Sequence, residues 1–483
     1  MPTVVVSPAA LRTHFAARLS TLYGREVPAY TTLVEVSREV NERVLARTGA
    51  SAERLGSIER VTAERHGAIR VGTPREMAQV ARIFAALGMY PCGFYDLRDA
   101  HPRPIPVVST AFRPVDRDEL AINPFRVFTS MLVPEDRRFF TADLQQRLTT
   151  FLDSRTLFPP ELLALADRAI DHNGLAEEDA ERFLELATAA FELSPEPVDR
   201  AWYTELERVS DVAADIGGVG STHINHLTPR VLDIDDLYVS MQARGIEMID
   251  KIQGPPAWEG PDILLRQTSF RALAEPRLFR NPDGSVTEGS LRVRFGEVEA
   301  RGIALTPSGR DLYEEMTAEV ARRLADRPDA DHQEVAAQVW REHLPATELE
   351  LCRRGLGYFT YHLGPERPIT EHERDAAARG DLHALVASGL VELSPIVYED
   401  FLPRSAAGIF ASNLTGTGHV DDEQDGTHRN MQWLAGVIDC EVHVPEELYA
   451  AQSIRSIAAL ERDLADRLGA PAINLASTPT TSA

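Results

Sequence analysis

The stretch His66-Gly67-Ala68-Ile69-Arg70 lies in a short segment of strand-like composition without helical amphipathicity. Side chains alternate between the two faces of a strand, so residues 66, 68 and 70 share one face. A histidine that can bind a metal and an arginine with a fixed positive charge then lie roughly 13 Å apart along the backbone. This pair suits an anionic small molecule that is both chelated and held by its charge, provided that other ligands exist.

The segments that flank this strand predict an order of strand, helix, strand, strand and strand. A helix begins at Thr73-Pro74 and ends at Gly88, and its first turn has the proline that helix starts favour. Strand-like segments follow at 93–97, 106–112 and 124–132. This unit would hold His66 and Arg70 on its first strand.

A second section of similar order begins at Ser221, after a cluster of glycines. It is predicted to contain a strand at 222–227, a helix at 234–244, and strands at 263–270 and 291–301, the last one after the turn Asn281-Pro282-Asp283-Gly284. The β-α-β-β order therefore occurs twice, which predicts an α+β fold.

Changes in composition and hydrophobic periodicity along the chain predict six segments. They are an N-terminal helical segment (1–63), a first βαβββ module (64–136), a helical insertion (137–216), a second βαβββ module (217–305), a C-terminal helical and mixed region (306–469) and a polar, disordered tail (470–483).

Composition narrows the class of protein. The 483 residues are 43% hydrophobic and 26% charged, which is a normal globular balance, and the net charge is −24. This charge argues against nucleic acid or an anionic membrane as a partner, because both require a basic surface. Three widely spaced cysteines form no disulfide framework, and no signal peptide or membrane span is evident. A cytoplasmic protein is expected, with an oligomeric state that the sequence leaves open.

The segment His223-Ile224-Asn225-His226 contains two histidines three residues apart. On a helix both could bind one metal, but the preceding glycines and Pro229 favour a strand. The two side chains of a strand then face opposite sides, so at most one of them belongs to a given site. Strand periodicity does not choose between them.

The segment Glu297-Val298-Glu299-Ala300-Arg301 places two glutamates on one face of a predicted strand. Such a charged row is usually a solvated face, but this strand closes the section whose first strand has the histidines. Two histidines and one carboxylate can occupy one face of an octahedral ion, as in non-haem Fe(II) oxygenases. Zinc with three protein ligands and a water also fits these residue types.

Five segments of the chain resemble one known family. They are Glu64-Arg65-His66-Gly67-Ala68-Ile69-Arg70-Val71-Gly72-Thr73, His223-Ile224-Asn225-His226-Leu227-Thr228-Pro229-Arg230, Leu264-Leu265-Arg266-Gln267-Thr268-Ser269-Phe270, Arg294-Phe295-Gly296-Glu297-Val298-Glu299-Ala300-Arg301-Gly302 and Tyr398-Glu399-Asp400-Phe401-Leu402-Pro403. In order and spacing, from about residue 10 to 415, the chain resembles the 2-oxoadipate dioxygenase/decarboxylase (hydroxyglutarate synthase) family of the vicinal oxygen chelate superfamily. The resemblance implies paired βαβββ modules that form a curved mixed sheet around a metal site.

The resemblance also implies roles for individual residues. The metal would be Fe(II), with His66, His226 and Glu299 as ligands, and Arg70 would bind a substrate carboxylate. Arg404 and Ser405 match a further stretch that contacts the substrate. The chain has Arg404 where some members of the family have valine, so the preferred diacid could differ. Further candidates for residues beside the ligands are Gln267, Asn225 and His223.

The chemistry that the resemblance implies consumes a 2-oxo dicarboxylic acid and O2. Oxidative decarboxylation of 2-oxoadipate followed by α-hydroxylation would give CO2 and 2-hydroxyglutarate, in the D form and within lysine catabolism. Three alternatives remain open at this point: a related dioxygenase that acts on a different 2-oxo acid, a metal-dependent lyase or isomerase, and a non-catalytic binding protein of the same fold.

Overall fold

The computed structural model describes residues 5–100, 104–272, 274–291, 294–402, 424, 426–470 and 472–475. Arg404 and Ser405, and most of the predicted tail 470–483, lie outside the described residues. Within the described ranges, no helix combines the length and the apolar character that a membrane crossing requires.

The strands are labelled in chain order. They are β1 (Val5–Val6), β2 (Arg65–Val71), β3 (Tyr90–Asp96), β4 (Val107–Arg113), β5 (Arg126–Leu132), β6 (Leu175–Ala176), β7 (Val198–Asp199), β8 (His226–Pro229), β9 (Leu265–Ser269), β10 (Glu275–Arg280), β11 (Val286–Leu291), β12 (Glu297–Arg301), β13 (Phe359–Leu363) and β14 (Val391–Pro395).

The helices surround these strands. They span Pro8–Glu26, Pro28–Thr48, Ile58–Ala63, Pro74–Ala86, Arg117–Ile122, Ala142–Ser154, Pro160–Asp171, Glu177–Ala189, Arg200–Glu207, Asp211–Gly217, Ile234–Ala243, Pro307–Asp326, His332–His343, Glu348–Arg353, Glu371–Ala378, Leu382–Ala387, Met431–Ile438 and Pro445–Leu468. With these mixed sheets, the predicted α+β class is confirmed.

The four strands of the first β section and β8 of the second form a five-stranded sheet in the order β3-β4-β5-β2-β8. Strand β2 runs parallel to β5, and the connection between them contains the helix Pro74–Ala86, whose N-terminus is capped by Thr73. Ile69 and Val71 of β2 pack into the core on one side of the sheet, whereas Ala68 packs with Phe128 on the other. The alternation predicted for residues 66, 68 and 70 is therefore confirmed, and it leaves His66 and Arg70 on the face of Ala68.

The second β section joins the first through β8, which pairs antiparallel with β2 so that His226 lies opposite Ala68. Strand β12 follows alongside β8, since the N–H of Val231 donates to the carbonyl of Glu299 over 2.8 Å. Strand β9 then pairs antiparallel with β12. This order brings β2, β8 and β12 together, although they lie far apart in the sequence. The predicted boundaries of the modules stay predictions.

Two strand predictions in the second section were wrong. The strand expected at 222–227 begins only at His226, because the ladder with β2 starts at the pair Ala68 and His226. The strand expected at 291–301 is two strands: β11 ends at Leu291 and pairs with β10, and β12 begins at Glu297. The turn at 281–285 is the tip of the β10–β11 hairpin, where Gly284 adopts a φ of +81° that favours glycine. The sequence prediction missed β10, whose residues alternate between exposed and buried.

Helices pack against the sheet and build a second core behind it. Phe15 and Tyr23 of the first helix belong to the same core as Ile69 and Val71. The C-terminal region has a separate apolar core, in which the last helix, Pro445–Leu468, packs against β13. The first helix thus covers the face of β2 that lies opposite His66.

Candidate metal centre

Three side chains from three strands meet at the junction of the two β sections. The possible ligand atoms of His66 on β2, His226 on β8 and Glu297 on β12 all lie within 4.8 Å of one another, and all three residues are buried. Nε2 of His66 is 3.4 Å from Oε2 of Glu297, and Nδ1 of His226 is 3.4 Å from Oε1 of the same carboxylate. The sequence motifs that contain these residues therefore form one cluster.

Glu299 lies on the other side of His66. Its Oε2 is 3.0 Å from Nδ1 of His66, so the imidazole is placed between two carboxylates. Arg301 holds Glu299 in a bidentate pair, with Nε to Oε1 at 2.7 Å and Nη2 to Oε2 at 2.9 Å. A carboxylate in this position typically orients a metal-binding histidine by accepting the proton of its second nitrogen.

The electrostatics of the cluster suit a cation. Burial lowers the pKa of His226 to about 4, against the opposing attraction of Glu297, so this imidazole is neutral at pH 7. Burial also acts to lower the pKa of His66, but the attraction of Glu299 and Glu297 outweighs it and raises that pKa. Burial acts to raise the pKa of Glu299, but Arg301 and His66 lower it well below its ordinary value. The cluster thus combines an ionised carboxylate with an imidazole in the form that binds metals.

A divalent metal ion fits this donor set. Nδ1 of His226 is buried and has no hydrogen-bond partner among the described residues. Buried polar atoms without partners are unusual in folded proteins and need an explanation such as a bound ion. Two imidazoles and a carboxylate are ligands that iron and zinc both accept.

A network of buried ions lies behind Glu299, and the sequence analysis missed it. Arg126 on β5 is fully buried and contacts three carboxylates: Nη1 donates to Glu64 over 2.8 Å and lies 3.3 Å from Glu299, and Nη2 pairs with Glu399. Arg230 donates to the other oxygen of Glu64 over 2.9 Å. The network fixes the position of Glu299 from the side opposite His66. A signal was present in the sequence, since Arg301 shares a strand face with Glu299 at a distance of two residues.

Arg70 points into the same enclosed space as His66 and is held by a second polar group. Its Nη1 pairs with the buried carboxylate of Asp215, which also accepts a hydrogen bond from Nδ2 of Asn225 over 2.9 Å. Nε2 of His223 is 3.4 Å from the same carboxylate. Of the two histidines that strand periodicity could not separate, His226 lies in the candidate metal cluster and His223 lies beside Asp215.

Aromatic rings enclose the cluster. The ring of Phe401 lies edge-on to His66 with centroids 5.0 Å apart, and Phe128 is 5.1 Å from Phe401. Phe295 lies 5.5 Å from His226. Phe401 was quoted in a sequence motif but received no role there. Gln267, expected near the ligands, pairs with Glu299 across the β9–β12 ladder. Arg404 and Ser405, three and four residues after Phe401, are outside the described part, so their predicted contact with substrate stays a prediction.

The pKa of His223 leads to a prediction about acid stability. Burial lowers this pKa to about 4, although Asp215 opposes the shift, while an unfolded histidine has a pKa of about 6.5. As the pH falls from about 6.5 to about 4, the unfolded chain takes up a proton that the folded chain does not, so the stability decreases. We expect His223→Gln to remove about 3 kcal/mol of this loss across the window. Urea unfolding of the metal-free proteins at several pH values measures it, and equal pH slopes for the two proteins would contradict the assignment.

Two buried histidines and a carboxylate form a possible metal site, and the nearby buried arginine gives it a cation that suits a small anionic substrate. The comparison with known proteins agrees. A family model described as 2-oxoadipate dioxygenase/decarboxylase matches residues 15–413. The chain belongs to the 2-oxoadipate dioxygenase/decarboxylase family, and the prediction from the sequence motifs is confirmed.

Individual relatives cover nearly the whole chain. A 2-oxoadipate dioxygenase/decarboxylase of Mycobacterium tuberculosis is 57% identical over 441 residues, which are 91% of this chain and 96% of the relative. The Pseudomonas putida protein of the same description is 39% identical, over 95% of this chain and 98% of its own length. The crystal structure of the hydroxyglutarate synthase in complex with 2-oxoadipate from Pseudomonas putida superposes with a TM-score of 0.80 at 36% identity, over 95% and 99% of the two chains.

Proposed function

We propose that this protein is an Fe(II)-dependent oxygenase that converts 2-oxoadipate and O2 to 2-hydroxyglutarate, in the D form, and CO2, as a step of lysine catabolism in the cytoplasm. The observation that carries the proposal is the buried cluster of His66, His226 and Glu297 in a chain of this family. The related Pseudomonas putida structure, a hydroxyglutarate synthase in complex with 2-oxoadipate, supports the choice of substrate. The atoms balance, because C1 leaves as CO2 with its own two carboxylate oxygens, and both oxygen atoms of O2 enter the hydroxy acid, one in the new carboxylate and one in the hydroxyl group.

We propose His66, His226 and Glu297 as the ligands of the iron. The sequence resemblance implied Glu299 instead of Glu297, and that assignment stays a prediction. The distances favour Glu297, since its carboxylate approaches both histidines, whereas Glu299 is bound by Arg301 and faces only Nδ1 of His66. Glu299 would then hold the proton on Nδ1 of His66 and keep the imidazole in one orientation.

Bound at this position, Fe(II) would supply the activation of O2 that oxidative decarboxylation requires. The residues of the chain bind and orient the substrate. Arg70 offers a planar cation that can bind a carboxylate through two N–H groups, which favours a dicarboxylate over a monocarboxylate. Phe401 and Phe128 exclude water from the space beside His66. A dry site strengthens the attraction between Arg70 and its anionic partner.

Oxygen uptake tests this function directly. Purified protein reconstituted with Fe(II) is mixed with 2-oxo diacids of five to seven carbons, and O2, CO2 and the hydroxy acid are quantified. We expect turnover of 2-oxoadipate with equal amounts of O2 consumed, CO2 released and 2-hydroxyglutarate formed. The monoacid 2-oxohexanoate has the same chain length without the distal carboxylate and is the control for the role of Arg70.

Two results would overturn the proposal. Turnover of another diacid without turnover of 2-oxoadipate would indicate a related dioxygenase of different specificity, the alternative that the arginine at position 404 keeps open. Product formation under strict anaerobiosis would indicate a metal-dependent lyase or isomerase, which needs no O2.

A further inference from the structure

We propose that Ser109 and Ser130 form a hydroxyl pair which binds the distal carboxylate of the substrate together with Arg70. The inference rests on the proposed function, and it assigns the residues that recognise the second acid group. Neither serine lies in a motif that the sequence analysis selected.

Strand register places the two serines beside Arg70. Arg70 on β2 is paired with Ser130 on β5, and Ser130 is paired with Ser109 on β4. Residues that are directly paired in a sheet project from the same face. Arg70, Ser130 and Ser109 therefore form one row of polar side chains on the face of the sheet that has His66.

From the metal cluster to Arg70, successive rows of side chains on this face match the successive parts of a dicarboxylic acid. Two residues nearer to His66, the row consists of Ala68 on β2, Phe128 on β5 and Ala111 on β4, and all three are buried. The next row begins with His66 itself. The face thus presents a metal-binding row, an apolar row and a polar row, each roughly 6.6 Å from the next. A chelating 2-oxo acid group, a short methylene chain and a distal carboxylate match these rows in the same order.

One of the two serine O–H groups is available as a hydrogen-bond donor. Ser109 is 0% exposed and Ser130 is 4% exposed, so neither hydroxyl is solvated. Their oxygens are 2.9 Å apart, and this single hydrogen bond uses one O–H group of the two. Within the described ranges no other hydrogen bond is made by either hydroxyl, so the second O–H remains for an acceptor that enters the site. A carboxylate oxygen is such an acceptor, and a hydrogen bond to a charged group is stronger than one to a neutral group.

The partners of Arg70 explain why further donors are needed. Asp215 pairs with the guanidinium and compensates its charge, while Asn225 and His223, which precede β8, contact the carboxylate of Asp215. Ser130 approaches from the side of β5, which is the opposite neighbour of β2. A carboxylate has about four lone-pair positions, so Arg70 and the hydroxyl pair can bind it at the same time. The neutral donors add selectivity for the acid group without adding charge to a buried site.

Steady-state kinetics of Ser130→Ala and Ser109→Ala with two substrates test the inference. For 2-oxoadipate we expect KM to rise about tenfold in each variant with little change in kcat, because a contact equal in ground and transition states is lost. For 2-oxohexanoate, which lacks the distal carboxylate, we expect kcat/KM to stay unchanged. Thr129→Val is the matched control, since Thr129 is a buried hydroxyl on the same strand and has no hydrogen-bond partner among the described residues. Its neighbours Val127 and Met131 pack into the core on the opposite side of the sheet, so this variant should retain both parameters.

The outcomes separate this inference from the proposed function. Equal losses of kcat/KM for the diacid and the monoacid, or an unchanged KM for the diacid, would show a structural role of the serines and overturn the inference. Calorimetric binding of 2-oxoadipate to the Fe(II)-loaded protein without O2 gives a second readout, with an expected rise in Kd of about tenfold in the serine variants. An equal Kd in wild type and variants would overturn the hydroxyl pair. A raised Kd in the variants, combined with the absence of turnover in the wild type, would overturn only the proposed function.

Discussion

Glu297→Ala is expected to lose the bound metal and, with it, all O2-dependent turnover. Among the described residues, Glu297 is the one carboxylate that approaches both histidines, and its removal leaves two imidazoles, a set too small to hold a divalent ion firmly. Glu299→Gln is expected to retain the metal with an affinity about 10–100-fold lower, because this residue acts through the orientation of His66. The two glutamates share a strand face, so a difference in metal affinity between the two variants tests the geometry of the cluster.

Metal analysis after gel filtration, together with Fe(II) or Co(II) titration by calorimetry, measures both effects without reference to activity. Glu288→Ala, which removes an exposed glutamate of the β10–β11 hairpin, is the control for general effects of a lost carboxylate. Loss of the metal from Glu299→Gln, with retention by Glu297→Ala, would contradict this assignment. It would support His66, His226 and Glu299, the ligand set that the sequence resemblance implied.

Local chemistry was sufficient to predict the strand that has His66 and Arg70. The period of two fixed their common face, and Thr73-Pro74 marked the start of the following helix. The same rule could not choose between Glu297 and Glu299, since both lie on one face of β12. That choice depends on how β8 lies against β12, which is a tertiary contact between residues about seventy positions apart. The same limit applied to His223 and His226.

The buried ion network shows a second limit of local patterns. Arg126 in the strand 126–132 has no acidic neighbour within its own motif, and an isolated arginine on a strand is usually exposed. Its partners Glu64, Glu299 and Glu399 come from three other parts of the chain. Only the pairing of β2 with β5, which sets Arg126 beside His66, explains why a fully buried cation occurs at this position. Long-range pairing of this kind leaves no periodic signal in one sequence.

Arg126→Met is expected to lower the free energy of unfolding by about 3–5 kcal/mol, the usual cost of one partner lost from a buried ion pair. Burial acts to raise the pKa of Glu64, but Arg230 and Arg126 outweigh it and hold that pKa far below its ordinary value. Without Arg126, the carboxylates of Glu64, Glu299 and Glu399 remain buried close together with less compensation. Urea unfolding at pH 7 measures the loss. Arg82→Met is the control, since Arg82 makes a bidentate pair with Asp167 at the exposed surface and its loss should be nearly neutral.

The pH dependence distinguishes lost charge pairing from lost packing. In the wild type, Glu64 has a folded pKa below its unfolded value of about 4.3, so its contribution to stability is present above that pH and is lost as the pH falls further. In Arg126→Met the folded pKa rises, and protonation relieves the uncompensated charge. The stability gap between the two proteins should therefore narrow as the pH falls below about 4.3. A gap that is constant with pH would mean that Arg126 stabilises the fold by packing alone, and that Glu299 does not depend on this network for its ionised state.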